Sequence, residues 1–156
     1  MDSDQLTGDS LFRNLGPEPL EKEFSWEVLK ERLLKRKNTA VKVVLLDQAV
    51  LAGVGNIYAS ESLFNAKIDP RVKAGSLSEE QFKKLHKGVI KALEDGIKYG
   101  GSTKTHFVDA EGKKGLFLDY AKVYFKDKKP CIQCKTTILK ITLGGRGTFY
   151  CPTCQI

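Results

Sequence analysis

The chain has 156 residues, enough for one domain with a small appendage but too few for a large enzyme of two full lobes. Its 26 lysines and arginines outnumber 19 aspartates and glutamates, and a net charge of +7 favours polyanions as partners, most commonly nucleic acid. Lysines that merely solubilise the surface would give a similar surplus. No apolar run reaches the ~18 residues that a membrane-spanning helix needs, which excludes a membrane protein of that type.

Residues 1–20 form a polar lead-in that ends in a stretch with two prolines, Pro17 and Pro19. Both prolines stiffen the backbone and oppose helix formation. A segment of this composition often joins domains, so we expect a linker here and a helical domain over residues 21–125.

A first helix is predicted to follow Ser25, whose hydroxyl can accept from the free amides of the first turn. Phe24 would pack on Leu29 as a hydrophobic staple. The basic stretch at residues 35–37 suits a helix C-terminus. Three apolar residues share one face of this helix: Trp26, Leu29 and Leu33.

A second helix is predicted over residues 40–51, with Thr39 as its cap. Two glycines then interrupt the apolar pattern at residues 52–56, and the pattern resumes at residues 57–64, so two helices meet through a tight turn. Asn56 stands where its side chain could cap the following helix, and the free amides there form an anion site. The ordinary explanation of a Gly-x-Gly turn is a helix connection without a ligand.

Ser78 and Gln81 form a capping box, flanked by Leu77 and Phe82 as a staple, that opens a long helix running to about residue 99. His86 lies on another face and is predicted to be a surface residue. The polar, glycine-bounded residues 100–112 predict a mobile loop. Apolar residues recur at helical spacing and should form core: Phe82, Leu85, Val89, Leu93 and Ile97.

Strand-like segments at residues 122–125, 136–142 and 147–150 predict a small C-terminal unit that carries every cysteine of the chain. Two Cys-x-x-Cys pairs let four thiolates complete a tetrahedral Zn²⁺ shell, with a β-hairpin between the pairs. Two disulfides are the alternative, but no secretory signal precedes them, and thioredoxin-type redox chemistry would need a βαβ unit. The predicted ligands are Cys131, Cys134, Cys151 and Cys154.

Basic charge gathers around the predicted zinc site. Between residues 122 and 146 the chain carries seven lysines and arginines against a single acid, Asp127. A cationic zinc hairpin is typical of an element that contacts phosphates.

Four motifs occur in register: LLDQ at residues 45–48, AGVGNIYASE at 52–61, GGST at 100–103, and GRGTFYCPTCQ at 145–155. With these motifs the chain, from about residue 15 to its end, resembles the C-terminal part of bacterial formamidopyrimidine-DNA glycosylase. The resemblance implies a mainly α fold, with a helix-two-turn-helix module followed by a small four-cysteine zinc β-hairpin at residues 126–156. It also implies one structural Zn²⁺, binding of double-stranded DNA with an oxidised base or an abasic site, and a bacterial, cytoplasmic, nucleoid-associated monomer.

The resemblance also implies roles for individual residues. Asn56 and Arg146 resemble the paired phosphate contacts around the lesion, and Lys42 resembles a basic residue near the damaged nucleotide. A helix N-terminus and an arginine fork both suit a phosphate. A further segment resembles the loop that closes over an everted purine, though His106 departs from the family pattern: Ser102, Thr103, Lys104, Thr105, His106 and Phe107.

In that family, chemistry begins at an N-terminal proline amine assisted by a glutamate, within a separate lobe. This chain begins Met1-Asp2-Ser3, so we expect a C-terminal fragment or truncated relative that binds zinc and DNA but is inactive alone. The parent activity would release oxidised purines and cut the abasic strand. Two alternatives are a free-standing, non-enzymatic zinc-containing nucleic-acid-binding protein and a zinc-organised protein-interaction domain.

Overall fold

Helices form most of the computed structural model, which describes residues 16–98 and 120–156. In chain order the helices are α1 (Trp26–Leu33), α2 (Val41–Leu45), α3 (Asn56–Ala66) and α4 (Glu79–Lys98), with short 3-10 turns at Leu34–Arg36 and Ala74–Ser76. Strands β1 (Leu139–Leu143) and β2 (Arg146–Tyr150) follow. Within the described ranges no helix combines the length and apolar character needed to cross a membrane. The predicted mainly α fold with a C-terminal hairpin is confirmed.

Helix α1 begins where its sequence predicts. The Ser25 hydroxyl accepts from the amide of Val28 at 3.3 Å, which satisfies one of the free donors of the first turn. Leu29 and Leu33 are fully buried, and Phe24 is buried beside them, so the apolar face of the helix forms core.

Helix α2 is much shorter than the predicted 40–51. The carbonyl of Asp47 accepts from Val50 and Leu51, while its carboxylate accepts from the amide of Ala49 at 2.9 Å, and this local bonding replaces the helical pattern. The predicted Thr39 cap is also wrong, because α2 is preceded by Ala40 and has no side-chain cap. The chain makes two turns before α3.

Helix α4 packs closely on α3. Gly88 allows the contact, since a Cβ on this residue would lie 2.6 Å from the Ser62 carbonyl oxygen. The predicted capping box is present: Ser78 N donates to Gln81 Oε1 at 2.9 Å, and Gln81 N donates to Ser78 Oγ at 3.2 Å.

The predicted core face of α4 is correct at Phe82, Leu85 and Val89 but wrong at Ile97, which is 72% exposed. Each step of four residues exceeds one helical turn by about 40°, so the apolar stripe rotates away from the core along the helix. In the last turn Gly96 is buried in place of Ile97. His86 is half-buried rather than a surface residue, with Nε2 3.0 Å from the Phe24 carbonyl oxygen.

Strands β1 and β2 form an antiparallel hairpin in which Leu143 pairs with Arg146. The two residues between them, Gly144 and Gly145, both have positive φ, as a tight two-residue hairpin turn requires. The predicted strand at 122–125 is wrong: the amides of residues 122–124 donate to the carboxylate of Glu61 rather than to a neighbouring strand.

Two clusters of buried side chains organise the described residues. The helical cluster gathers residues from α1 to α4, including Leu29, Leu63 and Leu85. The second cluster lies between the zinc-bearing region, residues 120–156, and α3, which contributes Phe64. Its members are Phe64, Ala121, Val123, Tyr124, Cys131, Ile138, Phe149 and Cys151.

Candidate nucleic-acid interface and zinc centre

The four cysteine sulfurs converge on one point at the base of the hairpin. All four Sγ atoms lie within 4.8 Å of one another, with Cys131 and Cys154 at 3.8 Å and Cys134 and Cys151 at 3.4 Å. Zinc–sulfur bonds of about 2.3 Å in a tetrahedron require sulfurs about 3.8 Å apart, so the set fits one Zn²⁺. None of the four cysteines is in a disulfide, so the structure does not support the alternative of two disulfide bonds.

Backbone amides and one glutamine hold these sulfurs in place. The amide of Gln133 donates to Cys131 Sγ and the amide of Cys154 donates to Cys151 Sγ, each at 3.4 Å. The buried Gln155 accepts from the Cys151 amide at 2.8 Å and donates to the Ile68 carbonyl oxygen at 2.9 Å. Partners of this kind orient metal ligands, and Gln155 also ties the zinc unit to the helices.

Asn56 joins helix α3 to the hairpin. Its Nδ2 donates to the Gly147 carbonyl oxygen at 3.0 Å and to the Tyr124 hydroxyl at 3.3 Å, while its Oδ1 accepts from Lys42 Nζ. The predicted capping role is therefore wrong, because Asn56 is the first residue of α3 and its side chain turns to the hairpin instead.

Lys42 is fully buried beneath this junction. Its Nζ donates to Asn56 Oδ1 and lies 3.5 Å from the Gly147 carbonyl oxygen. Burial, assisted by the positive charge of Arg146, lowers the pKa of Lys42 to about 8. The side chain therefore stays mostly protonated at pH 7 and loses its proton at a lower pH than an ordinary lysine.

Arg146 is exposed at the start of β2 and lines the same concave pocket as Asn56 and Tyr124. In the described residues the salt bridges form elsewhere, at Arg36, Arg71 and Lys91, so the Arg146 guanidinium has no carboxylate partner there. The structure thus places Asn56 and Arg146 at one pocket, with Lys42 buried directly behind Asn56. The six predicted loop residues, 102–107, lie outside the described residues.

Glu61 is a residue of this site that sequence reasoning passed over. Its carboxylate is 3% exposed and accepts from the backbone amides of Lys122 at 2.8 Å, Val123 at 2.9 Å and Tyr124 at 2.9 Å. Burial raises the pKa of Glu61, and the three amide donors oppose that rise. A carboxylate inside an otherwise buried helical run is a signal that could have identified it.

Tyr124 is the second residue that the sequence did not reveal. Glu61 fixes its amide, and its hydroxyl lies 3.3 Å from Asn56 Nδ2. No local pattern marks such a residue, because its position depends on a carboxylate more than sixty residues away in the chain.

A helix-two-turn-helix module that meets a four-cysteine zinc hairpin defines the class of protein. The family model of the formamidopyrimidine-DNA glycosylase H2TH domain matches residues 15–108, and the model of the zinc finger found in FPG and IleRS matches residues 128–156. The chain belongs to the formamidopyrimidine-DNA glycosylase family, and its four cysteines form one structural zinc site.

Individual relatives agree with the family match. The chain is 43% identical over 143 residues to formamidopyrimidine-DNA glycosylase of Cytobacillus firmus, covering 92% of this chain and 52% of the relative. It is 45% identical over 153 residues to the enzyme of Desulfitobacterium hafniense, covering 98% and 55% respectively. The chain therefore spans about half the length of the curated relatives it matches.

Solved structures show the same arrangement. Lactococcus lactis Fpg in complex with DNA containing an abasic site superposes with a TM-score of 0.84 at 36% identity, over 99% of this chain and 56% of that one. MutM (Fpg) from Thermus thermophilus superposes with a TM-score of 0.87 at 35% identity, over 99% and 59%. In both cases nearly all of this chain aligns with little more than half of the solved one.

Proposed function

We propose that this chain binds damaged duplex DNA as the C-terminal part of a base-excision-repair glycosylase and AP lyase that acts on oxidised purines. The observation that carries the proposal is the convergence of Asn56, Lys42 and Arg146 where the N-terminus of α3 meets the zinc hairpin. The abasic-site DNA bound by the Lactococcus lactis relative supports a lesion-containing duplex as the partner.

The chemistry of the pocket suits a phosphate. Arg146 offers a planar fork of donors, and the N-terminus of α3 adds free amides and the positive end of the helix dipole. Asn56, the first residue of α3, is held against the hairpin by its bonds to Tyr124 and the Gly147 carbonyl. A phosphate bound here would be contacted from both the helical module and the hairpin at once.

Lys42 supplies a second cation close behind Asn56. It is fully buried and its ammonium faces polar oxygens instead of a carboxylate, so its charge is not neutralised within the described residues. A phosphate arriving at the pocket would stabilise the charged form of Lys42.

The remaining parts of the proposal concern the whole protein. Residues 102–107 would form the loop that closes over an everted base, and phosphate contacts on the strand would offset the few kcal/mol needed to unstack that base. We assign residues 21–125 to the DNA-binding domain and residues 126–156 to the zinc finger. Release of the base and strand cleavage would require an N-terminal catalytic lobe, and the chain alone, as a monomer, would bind without catalysing.

The test is titration of the zinc-loaded protein into labelled duplexes, undamaged and carrying a stable abasic-site analogue, at two salt concentrations. We expect salt-sensitive binding that favours the abasic duplex. Arg146→Ala should weaken binding by about 1–3 kcal/mol and reduce the salt slope by about one, as expected for one lost phosphate contact.

Lys83→Ala is the matched control, because it removes one exposed positive charge from α4, outside the pocket. Equal binding to both duplexes would mean that the chain contacts phosphates but does not recognise the lesion. Absence of binding would overturn the proposal in favour of a protein-interaction domain.

A further inference from the structure

Phe125 occupies a backbone position that ordinarily takes glycine. The amide of Lys126 donates to the Val123 carbonyl oxygen at 2.9 Å, which closes a turn over residues 123–126, and Phe125 is the third residue of that turn with φ of 61°. Positive φ at this position favours Gly or Asn, and a bulky side chain there is a genuine outlier. Something must offset the backbone strain of placing a phenylalanine here.

Contacts within the protein cover only part of the Phe125 ring. The Phe125 ring lies 4.5 Å from the ring of Tyr124 and 5.5 Å from that of Phe149, both centroid to centroid. Those two rings are buried, but Phe125 itself remains 51% exposed. Half of a large apolar side chain therefore faces solvent from a strained turn.

Phe125 follows directly after Tyr124, a residue that lines the proposed phosphate pocket. Tyr124, the residue before it in the chain, places its hydroxyl 3.3 Å from Asn56 Nδ2. Lys140 lies over the ring of Phe149, with Nζ 5.6 Å from the ring centroid, and Arg146 is exposed on the same hairpin. An apolar face flanked by exposed cations is complementary to a polyanion that also presents apolar sugar and base surfaces, which describes a DNA strand.

We propose that Phe125 is a further DNA-contact residue, whose exposed ring packs on the sugar and base carbons of the strand held by Asn56 and Arg146. This inference rests on the proposed function and adds an uncharged contact to it. The strain in the turn is retained because it directs the ring outward beside the pocket, as strained residues do at other binding sites.

Phe125→Gly tests the contact, since glycine fits the turn and removes only the ring. We expect affinity for the abasic-analogue duplex to fall on the order of tenfold, by analogy with the loss of one base-stacking contact. The salt slope should stay at the wild-type value because no charge is removed, in contrast to Arg146→Ala. If Phe125 only supported the structure of the pocket, its loss would disturb the phosphate contacts, and the salt slope would fall together with the affinity.

Ile132→Ala is the control, because Ile132 is another apolar residue of the zinc unit and is 60% exposed. Its affinity should match the wild type. If the wild type binds DNA and Phe125→Gly binds equally well, the Phe125 proposal is overturned while the proposed function stands. If the wild type does not bind, the proposed function itself fails.

If the Phe125→Gly variant fails to fold or to bind zinc, a second measurement tests the same contact. Phe125→Trp in a Trp26→Phe background gives a protein whose one tryptophan is at the proposed contact, since Trp26 is the single tryptophan of the chain. Saturation with the abasic-analogue duplex should quench and shift its emission. Unchanged emission at saturation would overturn the contact.

Discussion

The helical region and the zinc-bearing region hold their structures by different means. Among the residues that the structure describes, the helical region buries eighteen hydrophobic residues in one cluster that draws on α1 to α4. The zinc-bearing region, as far as the structure describes it, has a cluster of eight, of which two are metal-ligating cysteines and one, Phe64, comes from α3. A region of that size cannot gain enough from apolar burial alone, so the metal and the contacts to α3 must supply the rest.

Of the changes that test this difference between the two regions, removal of one zinc ligand should have the largest effect on stability. We expect Cys151→Ser to release zinc and to disorder residues 130–156, because the metal contributes on the order of 10 kcal/mol to the folding of small zinc units. The helices should remain folded. Zinc content, helical circular dichroism and amide hydrogen exchange measure the three expectations.

Thr153→Ser is the control within the same knuckle, because it keeps the hydroxyl that bonds to Thr136 and leaves every ligand in place. Helical circular dichroism that falls in parallel with zinc content would contradict the division of the chain into two differently stabilised regions. Zinc would then hold the whole chain together.

Glu61 connects the two regions, and its replacement should have an intermediate effect. Glu61→Gln replaces one carboxylate oxygen by an amide donor, so at least one of the amides of residues 122–124 loses its acceptor inside the protein. Leaving a buried donor unsatisfied costs about 1–3 kcal/mol. Chemical denaturation should report that loss of stability, and hydrogen exchange should locate it at residues 122–124.

The control is Glu80→Gln, the same change at an exposed position in the first turn of α4. It should shift stability by no more than a few tenths of a kcal/mol. If the amides of residues 122–124 in the Glu61→Gln variant exchange as slowly as in the wild type, the zinc unit positions this segment without help from α3.

Elements with local signals were predictable from the sequence. Ser25 and Ser78 identify the starts of α1 and α4 through bonds to residues three positions away. The Gly144-Gly145 turn lies within the predicted hairpin, and cysteine spacing identifies the metal site. In each case the residues that determine the geometry are neighbours in the chain.

Elements governed by distant partners were not predictable. The early end of α2 is a local exception, because the Asp47 carboxylate bonds to the Ala49 amide two residues away and the apolar periodicity of residues 40–51 hides that bond. Asn56 is placed correctly at the start of α3, yet its side chain bonds to Gly147 on the hairpin, ninety-one positions away. The 122–125 segment has strand-like residues and becomes a turn because Glu61 takes its amides. Long-range hydrogen bonds leave no periodic trace in a sequence.

At neutral pH the replacement of Lys42 should give the smallest effect, and it tests how closely the two regions cooperate at the junction. Its pKa is lowered from 10.5 to about 8, chiefly by burial and also by Arg146. Between pH 8 and 10.5 the unfolded chain binds this proton and the folded chain does not, so the stability of the wild type should rise with pH in that range. In Lys42→Met, which buries no ammonium, this rise should be absent.

DNA affinity should respond to pH in the opposite direction. Phosphate favours the charged form of Lys42, so above pH 8 binding must include uptake of a proton, and wild-type affinity should fall by up to about tenfold per pH unit. Lys42→Met should bind more weakly than wild type at about pH 7, on the order of 1 kcal/mol, and show no such fall up to about pH 9. Lys140→Met, which removes an exposed lysine of the hairpin, should keep the wild-type pH profile. If Lys42→Met and wild type lose affinity in parallel as pH rises, the proton belongs to another group, and the buried ammonium between α3 and the hairpin has no part in holding the phosphate.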